Sequence, residues 1–188
     1  PVDRLPVIEW AIWWDKTIAR WNGEGLTPGL SQQQIFAELG LDNFYQIGLL
    51  TNDQTLPAPQ YHGGPVTADE EAFARWLPHM FGPFGLDHLH SCCKALKEGH
   101  EKGAYFLWYS FDGFFWFPRT LFGIENHLYA FYDHPDLMKE MNERLSDYIL
   151  KALDILYDSV TPEFMTFSED MSYNHGPMIS KDLFDEFM

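Results

Sequence analysis

The chain has 188 residues, 46% of them hydrophobic and 17% aromatic, enough for one domain (1–188) with a substantial core. Its 28 Asp and Glu against 12 Lys and Arg give a formal net charge of −16, which argues against nucleic acid and anionic membrane surfaces as partners, since both attract basic patches. No apolar run approaches the roughly 18 residues of a membrane-spanning helix. The two cysteines, Cys92 and Cys93, are neighbours and make no disulfide framework, so a reducing, cytoplasmic setting is expected.

In chain order, Leu5–Trp10 reads as a first strand running on into Ala11-Ile-Trp-Trp14, and Asn22–Gly29 as a polar connector. Ser31 caps a helix over Gln32–Leu39, which Gly40 ends. Phe44–Leu50 is a second apolar run of strand length, and the Pro- and Gly-rich stretch Thr51–Thr67 is a loop. Thr67-Ala-Asp-Glu70 has the spacing of a capping box for a short helix through Trp76.

Leu89–Lys102 is a predicted helix. Ala104–Phe111, aromatic and without helical period, is a predicted buried strand that ends at Asp112-Gly113. A helix over Ile124–Tyr132 is followed by a long one over Pro135–Ser159, with Asp133 as the expected cap. Leu137, Met141, Leu145, Tyr148, Ala152 and Leu156 step along it by three or four, giving one stripe toward a sheet.

Pro162 precedes a strand over Phe164–Phe167. That strand runs into the carboxylates Glu169 and Asp170, then a polar turn holding Asn174, His175, Gly176 and Pro177, then a helix opening at Ser180. Strands alternating with helices imply an α/β fold with parallel pairing by right-handed crossovers. Charged groups at the C-terminal tips of such strands are where (β/α)8 barrels place their chemistry. A complete barrel takes about 250 residues. The chain opens on Pro1 and stops at Met188 inside a predicted helix, so it reads as a partial barrel cut at both ends.

The strand tips nominate the candidate residues. Glu169 and Asp170, adjacent on a strand end, point to opposite sides, one toward the barrel mouth and the other toward a bracing role. A carboxyl in an aromatic mouth has a raised pKa that suits general acid or base work. Asp112 ends its strand at the same rim, unless Asp112-Gly113 is only a turn, and His175 is either a proton shuttle or a surface loop residue. Arg119, the one cation of an aromatic run, either holds an anionic substrate group or pairs with Glu125. Glu9, Asn174, Trp10 and Trp116 complete the candidate binding set, with the tryptophans serving either as a wall or as core. His90-Ser-Cys92 imitates a metal-ligand spacing. On a helix, however, residues i and i+2 diverge, while His88 and Cys92 share a face without completing a site.

Taken together, Asp3-Arg-Leu-Pro-Val7, Gly113-Phe-Phe-Trp-Phe-Pro118 with Leu121-Phe-Gly-Ile-Glu125, Tyr132-Asp-His-Pro-Asp-Leu137, and Ser168–Ser180 before Phe184-Asp-Glu-Phe187 resemble the uroporphyrinogen decarboxylase superfamily. The resemblance covers nearly the whole chain and implies a (β/α)8 barrel. It implies either decarboxylation of a porphyrinogen or methyl transfer between a corrinoid, carried by a partner protein, and a thiol or small methylated substrate. The zinc and corrinoid of the second reaction would be held by residues outside this chain. A non-catalytic binding fragment is the third reading.

The decarboxylase pattern is broken at telling positions. Two arginines that grip substrate carboxylates fall on Ala11 and Asp15, a supporting tyrosine on Leu121, and a serine on Asp170. That inverts the local charge and favours the methyltransferase reading. An exposed parallel sheet edge also predicts a homo-oligomer.

Overall fold

Three apolar runs become strands, and a computed structural model shows them side by side; it describes residues 5–10, 13–67 and 69–188. Strands β1 (Phe44–Gly48), β2 (Phe106–Asp112) and β3 (Phe164–Ser168) form a parallel sheet in the order β1-β2-β3. Gln46 pairs with Trp108, Trp108 with Phe164, Ser110 with Thr166 and Asp112 with Ser168. Helices fill the intervals: α1 (Asp15–Glu24), α2 (Gln32–Glu38), α3 (Glu70–Trp76), α4 (Pro83–Glu101), α5 (Trp116–Phe122), α6 (Ile124–Asp133), α7 (Pro135–Ser159) and α8 (Lys181–Phe187). A two-residue hairpin, β4 (Ser172–Tyr173) with β5 (Gly176–Pro177), is antiparallel. The architecture is therefore mixed α/β on a three-stranded parallel sheet.

Side chains alternate along a strand, and here the alternation divides the sheet into two unlike faces. Ile47, Leu107, Tyr109 and Phe111 are buried on one side, in the same core as Leu89 and Cys93 of α4 and the stripe of α7. All six stripe residues, Leu137, Met141, Leu145, Tyr148, Ala152 and Leu156, are buried, as the helical period predicts. Gln46, Trp108, Ser110, Asp112 and Thr166 look the other way. At the amino end of that second face, Phe36, Phe44 and Trp108 form a smaller aromatic core, with Ile8 and Trp13 packed on it.

A polar clasp fixes α7 to the sheet ends. The Tyr148 hydroxyl reaches the Gly82 carbonyl at 2.8 Å and the Leu50 carbonyl at 3.1 Å, joining α7 to the loop after β1 and to the start of α4. Gly85 makes this approach possible, because a Cβ there would lie 2.1 Å from the Leu50 carbonyl oxygen and 2.3 Å from the Tyr148 hydroxyl. A second junction seats the 51–67 loop. Val66 and Thr67 N–H both donate to the Leu121 carbonyl, and Ile124 N–H donates to Gly63. Gly123, at φ +79°, turns α5 into α6 where a Cβ would strike the Gly63–Pro65 backbone.

Several elements differ from the sequence expectation. Leu5–Trp10 is not a strand; Asp42 N–H donates to the Val7 carbonyl and Val7 N–H donates to the Asp42 carboxylate. Ala11, Asp3, Arg4 and Ala68 lie outside the described residues. Asp15–Trp21, between the expected strand and connector, form α1 together with Asn22–Glu24 of the connector. Helix α4 starts six residues early, at Pro83, because proline suits a first helical position, where its missing N–H costs nothing.

The 114–120 run, left without an element, supplies α5, with Pro118 inside its first turn. Asp69, not Thr67, caps α3, its carboxylate accepting Ala72 N–H at 2.8 Å. His134, not Asp133, is the residue before α7, and it makes no side-chain cap. Tyr148→Phe is expected to lower stability by about 1–2 kcal/mol in a urea melt, the usual cost of stranding buried carbonyls. Gly85→Ala is expected to cost more, because backbone must move.

Candidate functional site

The carboxyl ends of β2 and β3 are tied together by one side chain. After β3, the Glu169 carboxylate accepts N–H from Phe114 at 2.9 Å, Phe115 at 2.8 Å and Trp116 at 3.1 Å, the three amides that open α5. These donors have no partner inside their own helix, so a carboxylate satisfies them and complements the helix dipole. Gly113 N–H donates to the Ser168 carbonyl at 2.9 Å and closes the same corner. Gly113 has no room for a side chain, since a Cβ would sit 2.1 Å from the Glu169 carboxyl carbon.

Beside this corner, on the face of the sheet opposite α4 and α7, lies a cleft of about 630 Å³. Its floor is neutral and polar: Gln46 from β1, Ser110 from β2, Thr166 and Ser168 from β3. Its walls are aromatic: Trp10, Trp108, Trp116 and Phe164. Trp108 stacks on Phe164 at 5.4 Å and meets Trp10 edge-on at 6.1 Å. The Trp108 indole N–H donates to the Thr166 hydroxyl at 2.8 Å, and that hydroxyl donates to Ser110 at 3.3 Å. Glu169 and Asp170 are the only charged residues lining the cleft among the described residues.

Of the nominated residues, Asp170, Glu169, Trp10 and Trp116 meet at this cleft, and Asp112 follows Ser110 on the same face of β2. Burial, and then the negative charge of Glu169, raise the Asp112 carboxyl above the usual aspartate value. Glu169 takes the bracing alternative, because its oxygens are engaged by the three α5 amides. Asp170 adopts φ +39°, an uncommon conformation for a residue with a side chain.

Arg119 does not pair with Glu125. Its guanidinium lies 5.0 Å over the Trp116 ring and donates to the Asp170 carbonyl at 3.1 Å. Glu9 is half-buried but outside the lining, which takes its neighbours Ile8 and Trp10 instead. Asn174 and His175 form the exposed turn of the β4–β5 hairpin, with His175 beside Tyr173 at 5.6 Å, and neither lines the cleft. Asp15 is exposed at the start of α1, and Leu121 is buried in the core.

Sequence reading missed the floor. Gln46, Ser110 and Thr166 carry no motif, and Ser168 reads only as the start of the strand-end motif. Their signal is a polar residue at every second place on neighbouring strands, and it becomes visible only once the register is known.

It also missed His127 of α6, which is fully buried against Phe115 at 4.6 Å and Phe131 at 4.9 Å, with neither ring nitrogen bonded. Burial, and secondarily the charge of Arg119, push its pKa down to about 3. On α4, Cys92 Sγ lies 3.5 Å from His88 Nε2, one turn away as the helical spacing predicts. Cys93 is buried, which pushes its thiol up to about 11.

No protein-family model, curated protein or solved structure matches the chain.

Two expectations follow from these groups. Asp112 is harder to ionise in the folded chain than in the unfolded one, so it opposes folding once pH rises through its folded pKa. Asp112→Asn is therefore expected to raise the melting temperature at pH 7 and to lose that advantage near pH 4, as calorimetry at the two pH values would show. For His127 the unfolded chain takes a proton near 6.5, while the folded chain resists protonation down to about 3. Stability should fall with decreasing pH in that window, by at most about 1.4 kcal/mol per pH unit. His127→Leu should flatten the slope.

Proposed function

We propose that the chain is part of a (β/α)8 barrel enzyme of the uroporphyrinogen decarboxylase superfamily and that the cleft is its active site. Three features support this: parallel strands in sequential order, helices covering one sheet face, and an aromatic and acidic recess at the carboxyl ends of the strands. Asp112 is the group suited to hold and deliver a proton, since burial and the neighbouring Glu169 charge raise its carboxyl above the usual aspartate value. Asp170 supplies the free carboxylate of the rim, Trp10 and Trp116 the walls, and Glu169 the brace.

Within that reading, the reaction is methyl transfer between a corrinoid on a partner protein and a thiol or small methylated substrate. The observation that carries it over decarboxylation is the sign of the cleft: its charged lining is acidic, and Arg119 is held between Trp116 and the Asp170 carbonyl. A polycarboxylate porphyrinogen would meet repulsion there, with no arginine fork among the described residues to receive it. The described residues contain no group of three or more His, Cys, Asp or Glu able to hold a metal ion, so no step here runs through zinc.

Self-association belongs to the same reading. Among the described residues, β3 pairs only with β2, leaving its other edge open, and Met165 and Phe167 are exposed beside it. Sedimentation showing a stable monomer would count against pairing through that edge.

Titrating the protein into methylcobalamin should shift the corrinoid absorbance. Titration into uroporphyrin should leave its main visible band unchanged. Tight uroporphyrin binding, or release of CO2 from uroporphyrinogen, would reverse the choice between the two reactions.

A further inference from the structure

We propose that the cleft takes a small organic cation, a methylated ammonium group held against aromatic faces and balanced by the Asp170 carboxylate. This deepens, and rests on, the reading of the cleft as a ligand site.

Charge is the first argument. Of the two charged lining residues, Glu169 is consumed by the three amides of the α5 turn, which leaves Asp170 as the acid with capacity to spare. Its carboxylate is exposed and enters no ion pair among the described residues, while its main-chain oxygen anchors Arg119.

The walls are the second. Ring faces attract cations through their quadrupole, and Trp10, Trp116 and Phe164 are all partly open to the cleft. The molecule already uses one of these rings in this way, since the Arg119 guanidinium sits 5.0 Å over Trp116.

The floor discriminates among cations. A primary ammonium is strongly hydrated and needs several acceptors in place of its water. Here the Thr166 hydroxyl already accepts from Trp108 and donates to Ser110. A methylated ammonium has few or no N–H groups to satisfy, and it matches a recess whose walls are rings. The volume of about 630 Å³ admits a choline-sized ion with room for a second group.

Isothermal titration at about 0.15 M salt can compare three probes of one shape: choline, its uncharged carbon isostere 3,3-dimethylbutanol, and the anion 3,3-dimethylbutyrate. Choline should bind at least ~10-fold more tightly than the alcohol, and the anion should show no binding. Asp170→Asn, a residue type tolerant of positive φ, should weaken choline about 5- to 10-fold and leave the alcohol unchanged. Trp10→Leu, at a position 65% exposed, should weaken choline as well, with circular dichroism confirming that the variant is folded.

Equal affinity for choline and the alcohol would overturn the cation and keep the cleft as a ligand site. Absence of binding by all three probes would sink both. Choline binding that survives Asp170→Asn and Trp10→Leu unchanged would place the cation elsewhere and overturn the proposal.

Discussion

The Glu169 carboxylate and the three main-chain amides of the Phe114–Trp116 turn hold the molecule's working end together. Charge-assisted bonds of this kind are roughly twice as strong as neutral ones, and three of them converge on one side chain. The contact joins segments more than fifty residues apart in sequence and holds the exit of β3 against the entrance of α5. Everything chemically notable nearby depends on it. Trp116 is oriented by its own amide, Arg119 follows a turn later on the same helix, and Asp112 feels the charge of the clasp. Gly113 is the geometric condition for it, since any side chain there would occupy the space of the carboxylate.

The second organising constraint is that the two sheet faces differ, one apolar along its length and the other aromatic at its amino end and polar toward its carboxyl end. Ile47, Leu107, Tyr109 and Phe111 make the side that α4 and α7 cover, where the long helix contributes an unbroken buried stripe and the Tyr148 clasp. The opposite side carries Phe44 and Trp108 at its amino end and turns to amide, hydroxyl and carboxyl groups beyond them. A sheet built this way must keep its polar face in contact with water, ligand or further polypeptide, because unpaired polar groups are costly to bury. The cleft occupies that side for the same reason that the helices occupy the other.

How much of this was legible in the sequence depended on whether the signal was local. The α7 stripe, the Ser31 and Ser180 caps, the middle strand and the turn at 174–177 all announce themselves within a few residues, and the structure has them. Local signals failed where tertiary contacts decide. Val-Ile-Glu-Trp has the look of a strand, yet residues 5–10 pair with no strand, bind Asp42 through both main-chain groups of Val7, and use Ile8 and Trp10 to cover aromatic surface. The Phe114–Phe122 run has strand-like composition, yet it becomes helix because a distant carboxylate satisfies its first amides. Glu169 and Asp170 were readable as a pair at a strand tip, but their division of labour was not. It depends on which of them meets α5, and that is a fact about register. His127 left no trace at all, since a histidine in an amphipathic helix gives no hint that both its nitrogens will lie among phenyl rings.

The two cysteines give this architecture a practical handle. Cys92 and Cys93 are consecutive, but α4 turns them about 100° apart, so one is half-exposed beside His88 while the other lies in the core with its thiolate suppressed. A mild alkylating reagent would therefore distinguish neighbours along the chain as sharply as if they belonged to different molecules. A dye or spin probe could then be placed at one defined spot on α4 without any engineering of the protein.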